Sequence, residues 1–168
     1  MSFGTMRGAT PPPQAIVIFG GTGDLTRRKL VPALLRIFCQ GLLPEAFAVV
    51  GVAKEELSDD AYRRRMKEAV AEFAPDTDPP AWERFAPHLS YVHADLADPA
   101  GYVRLRDRLE EHDREAGTAG NRLFYLAVPP TVVARVVGGL HGAGLEHPPR
   151  RGDGSPKKTS FPGLTGDR

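Results

Sequence analysis

The residues of this chain best suited to chemistry stand together near its start, in Phe19-Gly20-Gly21-Thr22-Gly23-Asp24-Leu25-Thr26-Arg27-Arg28-Lys29. Glycine has no Cβ and tolerates positive φ, so Gly20 and Gly23 let the backbone curl tightly and come close to a ligand. The segment behind the turn reads as a helix, whose first N–H groups have no acceptor within the helix. Together with the helix dipole they make a site for an anion, typically a pyrophosphate. Arg27, Arg28 and Lys29 put three cations in the opening turns, where positive charge is unfavourable unless solvent screens it or an anion compensates it. The spacing Gly21-x-Gly23-x-x-Thr26 departs from the usual G-x-G-x-x-G, with Thr26 in the third glycine's place. A tight strand-to-helix turn without a ligand uses the same residues, so the glycines alone leave both readings open.

A second chemical feature lies at Ala53-Lys54-Glu55. Sites for NAD place Asp or Glu at the end of the second strand to take the ribose hydroxyls. Here a cation comes first, which favours a 2′-phosphate and therefore NADP, with NAD still possible. Glu55 argues the other way, and a solvated surface lysine is the plain alternative for Lys54.

These residues need elements to hold them. Ala15–Phe19 is an unbroken apolar run, the signature of a strand buried on both faces. Leu25, Leu30, Ala33, Leu34, Ile37 and Phe38 then recur at helical spacing, with Pro32 predicting a kink near the first turns and Gly41 and Pro44 a stop. Phe47–Val52 reads as a second buried strand, parallel to the first by the crossover rule. Ser58 is placed to cap a helix with inner face Tyr62, Met66, Ala69, Val70 and Phe73, and Arg63, Arg64 and Arg65 read as its solvated side. Trp82 and Phe85 sit in a short amphipathic piece, read as core packing. His88–Ala94 is a third strand, and Asp98-Pro99 starts a helix with Tyr102, Leu105 and Leu109 inside. Arg122–Val128 is a fourth strand, and Thr131 is expected to cap a last helix with Val132, Val133, Val136, Val137 and Leu140 inward.

Strands alternating with helices predict an α/β protein with an open parallel sheet and helices on both faces. Doubly wound dinucleotide folds usually have more than four strands, so the sheet is expected to be C-terminally truncated. The expected organisation is a disordered lead-in at 1–13, one domain at 14–145, and a tail at 146–168 too rich in Pro, Gly and charge to fold alone. A net charge of +1 gives no reason to expect nucleic acid or a membrane as partner. The single cysteine, Cys39, excludes an internal disulfide. No apolar run approaches a membrane span and residues 1–13 lack a signal peptide's apolar segment, so a cytoplasmic location is expected.

Phe19 to Leu30 resembles the coenzyme fingerprint of the glucose-6-phosphate dehydrogenases. Three more blocks resemble that family in order: Val50-Gly51-Val52-Ala53-Lys54 with Ser58-Asp59-Asp60, then Ala94-Asp95-Leu96, then Asn121 to Pro130. The resemblance covers about residues 15–145 and implies a Rossmann-like coenzyme domain. It implies that Gly20, Gly21, Thr22, Gly23, Asp24 and Leu25 hold the pyrophosphate of NADP, with Thr22 near the adenosine 2′-phosphate. Lys54 stands where the family commonly has an arginine reading that phosphate, and it lacks arginine's flat, bidentate guanidinium. By the same resemblance Asp95 and Leu96 lie beside adenine or ribose, and Ala127, Val128 and Pro129 pass the nicotinamide. Lys29 resembles a lysine that reaches glucose 6-phosphate, and a surface helix cation is the plain alternative. The five histidines (His88, His93, His112, His141, His147) sit outside the blocks that carry the family resemblance, so by that resemblance none is expected as a catalytic base, and no metal site is expected.

No block matches the family's fifth-strand Glu-Lys-Pro-Phe-Gly or its substrate domain, and Lys157–Phe161 is at best a degraded echo. The substrate domain is therefore expected to be absent and the tail to be frame-shifted or broken, which leaves a chain inactive alone. Full-length relatives are oligomers, and the sequence does not speak to this chain's state. A binding-only nucleotide module is the alternative function. A regulator related to short-chain dehydrogenases is a further one, but the chain has no Tyr-x-x-x-Lys pair.

Overall fold

The computed structural model describes residues 11–146. The expected lead-in and tail fall mostly outside the described residues, as do Lys157–Phe161 and His147. Four strands, β1 (Gln14–Phe19), β2 (Phe47–Ala53), β3 (Leu89–His93) and β4 (Arg122–Leu126), form one sheet in the order β3-β2-β1-β4. All three pairings are parallel, with Phe19 opposite both Val52 and Leu126. The carboxyl ends of the strands therefore share one edge, where open α/β sheets bind ligands.

Each crossover carries a helix. The helices are α1 (Val31–Cys39), α2 (Asp59–Phe73), α3 (Pro79–Phe85), α4 (Pro99–Glu115) and α5 (Pro130–Gly142). One face of the sheet packs Ile16, Ile18, Val49 and Leu89 against Leu35, Tyr62, Met66, Trp82 and Phe85. The other packs Val17, Phe19, Val50 and Val52 against Tyr102, Leu105, Leu109, Val136 and Leu140. β1 is buried on both sides because helices cover both, the condition that its unbroken apolar run encodes.

Ser58 caps α2, accepting the Ala61 N–H at 3.1 Å, and Asp98 caps α4, accepting the Ala100 N–H at 2.9 Å. Other expectations need correction. Leu25 and Ala33 are exposed, and Val31, Pro32 and Leu35 supply the buried face of α1. The shift follows from a π-helical turn at Thr26–Leu30, which adds a residue to the turn and rotates the faces. Pro32 has no N–H, and its ring would crowd the carbonyl four residues back. The widened turn relieves that crowding, and the Val31 N–H reaches the Thr26 carbonyl five residues back.

Thr131 does not cap α5. Pro129 holds the cap position without a side-chain bond, Pro130 opens the helix, and Val137 faces solvent. The arginine run is not one solvated face either. Arg63 donates from Nε to the Leu89 carbonyl at 2.9 Å and Arg65 pairs with Glu55, which leaves Arg64 exposed. Ala127 and Val128 lie just beyond β4, which ends at Leu126.

Candidate functional site

The site grows from the turn that joins β1 to the helical segment. Gly20 has φ +84° and lies so close to the Ala127 carbonyl that any side chain would collide with it. Gly23, expected to share the positive φ, does not; it lacks room instead, since a Cβ there would stand 3.1 Å from the Gly20 carbonyl oxygen. A Cβ on Gly21 would meet the Gly51 Cα and the Val52 nitrogen, both at 2.7 Å. Gly20 and Gly21 are thus required by a neighbouring backbone, Gly20 also by its dihedral angle, and Gly23 sits in a tight contact.

Hydrogen bonds divide the turn's N–H groups into two sets. Gly20 and Gly21 both donate to the Val52 carbonyl at 3.0 Å, and Gly23 donates to Gly20 at 2.9 Å. The first two hold the turn on the end of β2 and the third closes the turn on itself, so all three N–H groups are already spent. The N–H groups of Thr22, Asp24 and Leu25 have no backbone acceptor among the described residues. They are the donors suited to a pyrophosphate, next to the positive end of a helix dipole. Space without Cβ atoms and unused donors at a helix start fit the diphosphate of a dinucleotide.

Side chains with no predicted contact to the turn hold this cradle rigid. Thr26 is fully buried and its Oγ1 donates to the Gly20 carbonyl at 2.8 Å, so the residue in place of the third glycine is a clamp. From α2 the Tyr62 hydroxyl, buried, donates to the Gly21 carbonyl at 3.0 Å. Its ring lies against the Gly51 Cα with no room for a Cβ between them, and burial pushes its pKa well above the usual phenol range. Tyr91 stacks near it, with centroids 5.0 Å apart, and donates to the Glu55 carbonyl at 2.7 Å. Burial and the nearby Glu55 charge push the Tyr91 phenol up to about 12. A buried tyrosine hydroxyl must find a partner, which is the one signal in the sequence that pointed at these residues.

The carboxyl ends of β2 and β3 bring the remaining adenosine-side candidates together. Lys54 Nζ lies 3.3 Å from Asp95 Oδ2, although the two are 41 positions apart in sequence. The Ala97 N–H, then Lys54, hold the Asp95 carboxyl below its ordinary range. Glu55 Oε2 lies 2.7 Å from Arg65 Nη1; that hydrogen bond lowers the Glu55 pKa, burial opposes it, and the Thr22 side chain adds to the lowering. Leu96 is half-buried against the second core cluster.

At the other end of the edge, the Ala127 N–H donates to Phe19 at 2.9 Å, and Val128 and Pro129 lead from it into α5. Of the three cations, Arg28 is satisfied by Asp24 at 2.7 Å and lies over the Phe73 ring, while the Arg27 Nε is buried without a partner. Lys29 is exposed, and no contact ties it to the cradle.

His93 closes β3 at the carboxyl edge, opposite Ala53, and its carbonyl accepts from Arg104 Nε at 3.0 Å; the other described histidines stand away from the turn. His88 is stacked on Phe47 at the amino end of the sheet, opposite the turn, and bonds to the Phe47 carbonyl. His112 is bound to Ser90 at 2.9 Å, and His141 pairs with Glu146. Among the described residues no group of three His, Cys, Asp or Glu is arranged to hold a metal, and no helix is long and apolar enough to cross a membrane.

Residues 17–152 match the family model described as "Glucose-6-phosphate dehydrogenase, NAD binding domain". The chain belongs to the glucose-6-phosphate dehydrogenase family. The match to that domain makes the glycine turn part of a fold for a nicotinamide coenzyme. The chain is 44% identical over 133 residues to glucose-6-phosphate 1-dehydrogenase of Chlamydia pneumoniae, covering 79% of this chain and 26% of that protein. With the Leuconostoc mesenteroides enzyme it shares 35% identity over 130 residues, 77% of this chain and 26% of that one. The crystal structure of glucose-6-phosphate 1-dehydrogenase from Mycobacterium avium superposes with a TM-score of 0.70 at 30% identity, covering 83% of this chain and 29% of that one. A glucose-6-phosphate dehydrogenase in complex with glucose 6-phosphate superposes at 0.71, with 29% identity over 82% of this chain and 29% of that one. The chain thus spans about a quarter of the length of the curated relatives it matches.

Proposed function

We propose that this chain is the NADP-binding domain of a glucose-6-phosphate dehydrogenase and that by itself it binds coenzyme without turning over substrate. The observation that carries this reading is the cradle: three unused N–H groups at Thr22, Asp24 and Leu25, on a turn clamped by Thr26 and Tyr62. In this reading those groups take the pyrophosphate, with Gly20, Gly21 and Gly23 shaping the space. Lys54, Asp95 and Leu96 face the adenosine, and Ala127, Val128 and Pro129 face the nicotinamide. When bound, the coenzyme supplies the acceptor for hydride from C1 of glucose 6-phosphate, giving 6-phosphogluconolactone and NADPH.

Lys29 would meet the sugar phosphate, as a single exposed cation. Removing the C1 hydroxyl proton needs a base within hydrogen-bond reach. His88 is spent on Phe47 at the far end of the sheet and His112 on Ser90 beneath it. Positioning contributes up to about 7–11 kcal/mol of a barrier and a general base about 10²–10⁴-fold. His93 ends β3, at the opposite edge of the sheet from β4 and Ala127, so among the described residues one phosphate contact and no base at the nicotinamide end supply little of either.

Calorimetry with NADP and NAD tests the binding, and absorbance of NADPH with saturating glucose 6-phosphate tests the turnover. Binding without turnover is expected, with NADP the tighter ligand. Gly23→Val should abolish binding while circular dichroism is retained. Lys54→Ala should weaken NADP about three- to tenfold, the effect of one exposed charge contact, and leave NAD unchanged. A chain that binds neither coenzyme refutes the reading, and turnover lost on replacing one histidine refutes its inactivity.

A further inference from the structure

Four charged side chains at the carboxyl ends of β2 and β3 and on α2 form two pairs whose own charges cancel, with the Arg135 charge also felt at Asp95 from α5. Lys54 pairs with Asp95 at 3.3 Å and Arg65 pairs with Glu55 at 2.7 Å. A phosphate on the 2′ position brings nearly two negative charges, so a site built for it alone would carry a positive excess. Lys54 and Glu55 are adjacent in the chain and favour opposite coenzymes: the cation a phosphate, the carboxylate a pair of ribose hydroxyls. Glu55 is also fixed in place. Tyr91 holds its carbonyl at 2.7 Å from the sheet, and Arg65 holds its carboxylate from α2.

Arg65 reaches across to Glu55 from the first half of α2, whose inner face, Tyr62, Met66, Ala69 and Val70, is seated in the core. Its guanidinium is two-thirds covered and spends its hydrogen bond on Glu55, leaving Lys54 to face a phosphate with the neighbouring carboxylate neutralised. Without Arg65 the Glu55 carboxylate would lose its partner and stand, uncompensated, beside Thr22 in the turn.

We propose that Arg65 sets the coenzyme choice of this domain as a positioning residue: by neutralising Glu55 it admits a 2′-phosphorylated adenosine beside Lys54 while Glu55 still accepts an unphosphorylated one. The inference rests on the coenzyme reading above and deepens it. The domain should therefore use both coenzymes, with a modest preference for the phosphorylated form.

The test uses the full chain, with 2′,5′-ADP and 5′-AMP as probes of the adenosine half, by calorimetry at low salt. Arg65→Gln should weaken 2′,5′-ADP about three- to tenfold, the effect of exposing one like charge near the phosphate, with 5′-AMP little changed. Glu55→Gln should move the ratio the opposite way, tightening 2′,5′-ADP and weakening 5′-AMP. The double variant Arg65→Gln with Glu55→Gln restores the charge balance and should regain the parent affinity for 2′,5′-ADP. Arg65→Lys keeps the charge and should lie between parent and Arg65→Gln. A merely structural role for Arg65 predicts no such recovery. If the parent binds these probes and Arg65→Gln leaves their ratio unchanged, or the double variant fails to recover, the role of Arg65 is wrong while the coenzyme reading stands. If the parent binds neither probe nor coenzyme, both fall.

Discussion

Replacing Tyr62 with Phe asks how much of the phosphate cradle is held from outside the turn. Tyr62 is fully buried on α2, and its hydroxyl donates to the Gly21 carbonyl at 3.0 Å. The substitution removes one oxygen and changes the ring's packing little, so the cost is that of a buried carbonyl losing a donor. Such a loss costs about 1–3 kcal/mol. For a chain of this length each kcal/mol lowers Tm by about 2–4 °C, so a fall of about 2–12 °C is expected. Coenzyme affinity should fall as well, because the Thr22 N–H sits directly after the carbonyl that loses its anchor. Differential scanning calorimetry with and without NADP reads both effects in one experiment. A Tyr62→Phe chain with unchanged Tm means the hydroxyl contributes nothing net. A lowered Tm with unchanged NADP affinity means the turn does not need Tyr62 for its shape.

Two further outcomes follow from single contacts. The neighbouring glycines of α5 should respond with opposite sign. Gly138→Ala places a methyl in open space and should stabilise by about 0.5–1 kcal/mol, whereas Gly139→Ala drives a methyl into the Tyr102 ring and should destabilise by about 1–3 kcal/mol. Urea midpoints of equal sign would refute the packing of α5 on α4. Burial, then the Arg108 charge, lowers the His112 pKa below its ordinary 6.5, against the opposing pull of Glu111, Asp59 and Glu115. The unfolded chain therefore takes up this proton first, and the stability is present above about pH 6.5 and lost as the pH falls through the folded pKa. Thermal midpoints should drop more steeply below that pH in the parent than in His112→Asn, and parallel slopes would contradict it.

β1 and β2 were legible because each is an unbroken apolar run covered on both faces, whereas the edge strand β4 leaves Leu123 and Tyr125 exposed; the caps Ser58 and Asp98 were legible because a short polar side chain before a helix has one use. Helix faces were less legible where geometry departs from the regular period. Leu25 and Ala33 follow a 3.6-residue spacing that the π turn before Pro32 interrupts, and no propensity scale records that interruption. Within the site, the glycines, Lys54 and Asp95 could each be read from local motifs, but the pairing of Lys54 with Asp95 could not. Thr26, Tyr62 and Tyr91 could not, because each looks like ordinary core until its hydroxyl is seen to end on a carbonyl of the turn or of the Glu55 segment. Glu55 shows the limit most sharply. In sequence it stands against a 2′-phosphate, since the chain offers no helical spacing that would bring it a partner. The residue that neutralises it is ten positions away, across the turn between β2 and α2. That pairing exists only because Ser58 starts α2 where it does and Tyr62 docks the helix on the sheet. A coenzyme preference of this kind is thus written in how a helix is seated, and reading Lys54 and Glu55 alone assigns the site two contradictory ligands.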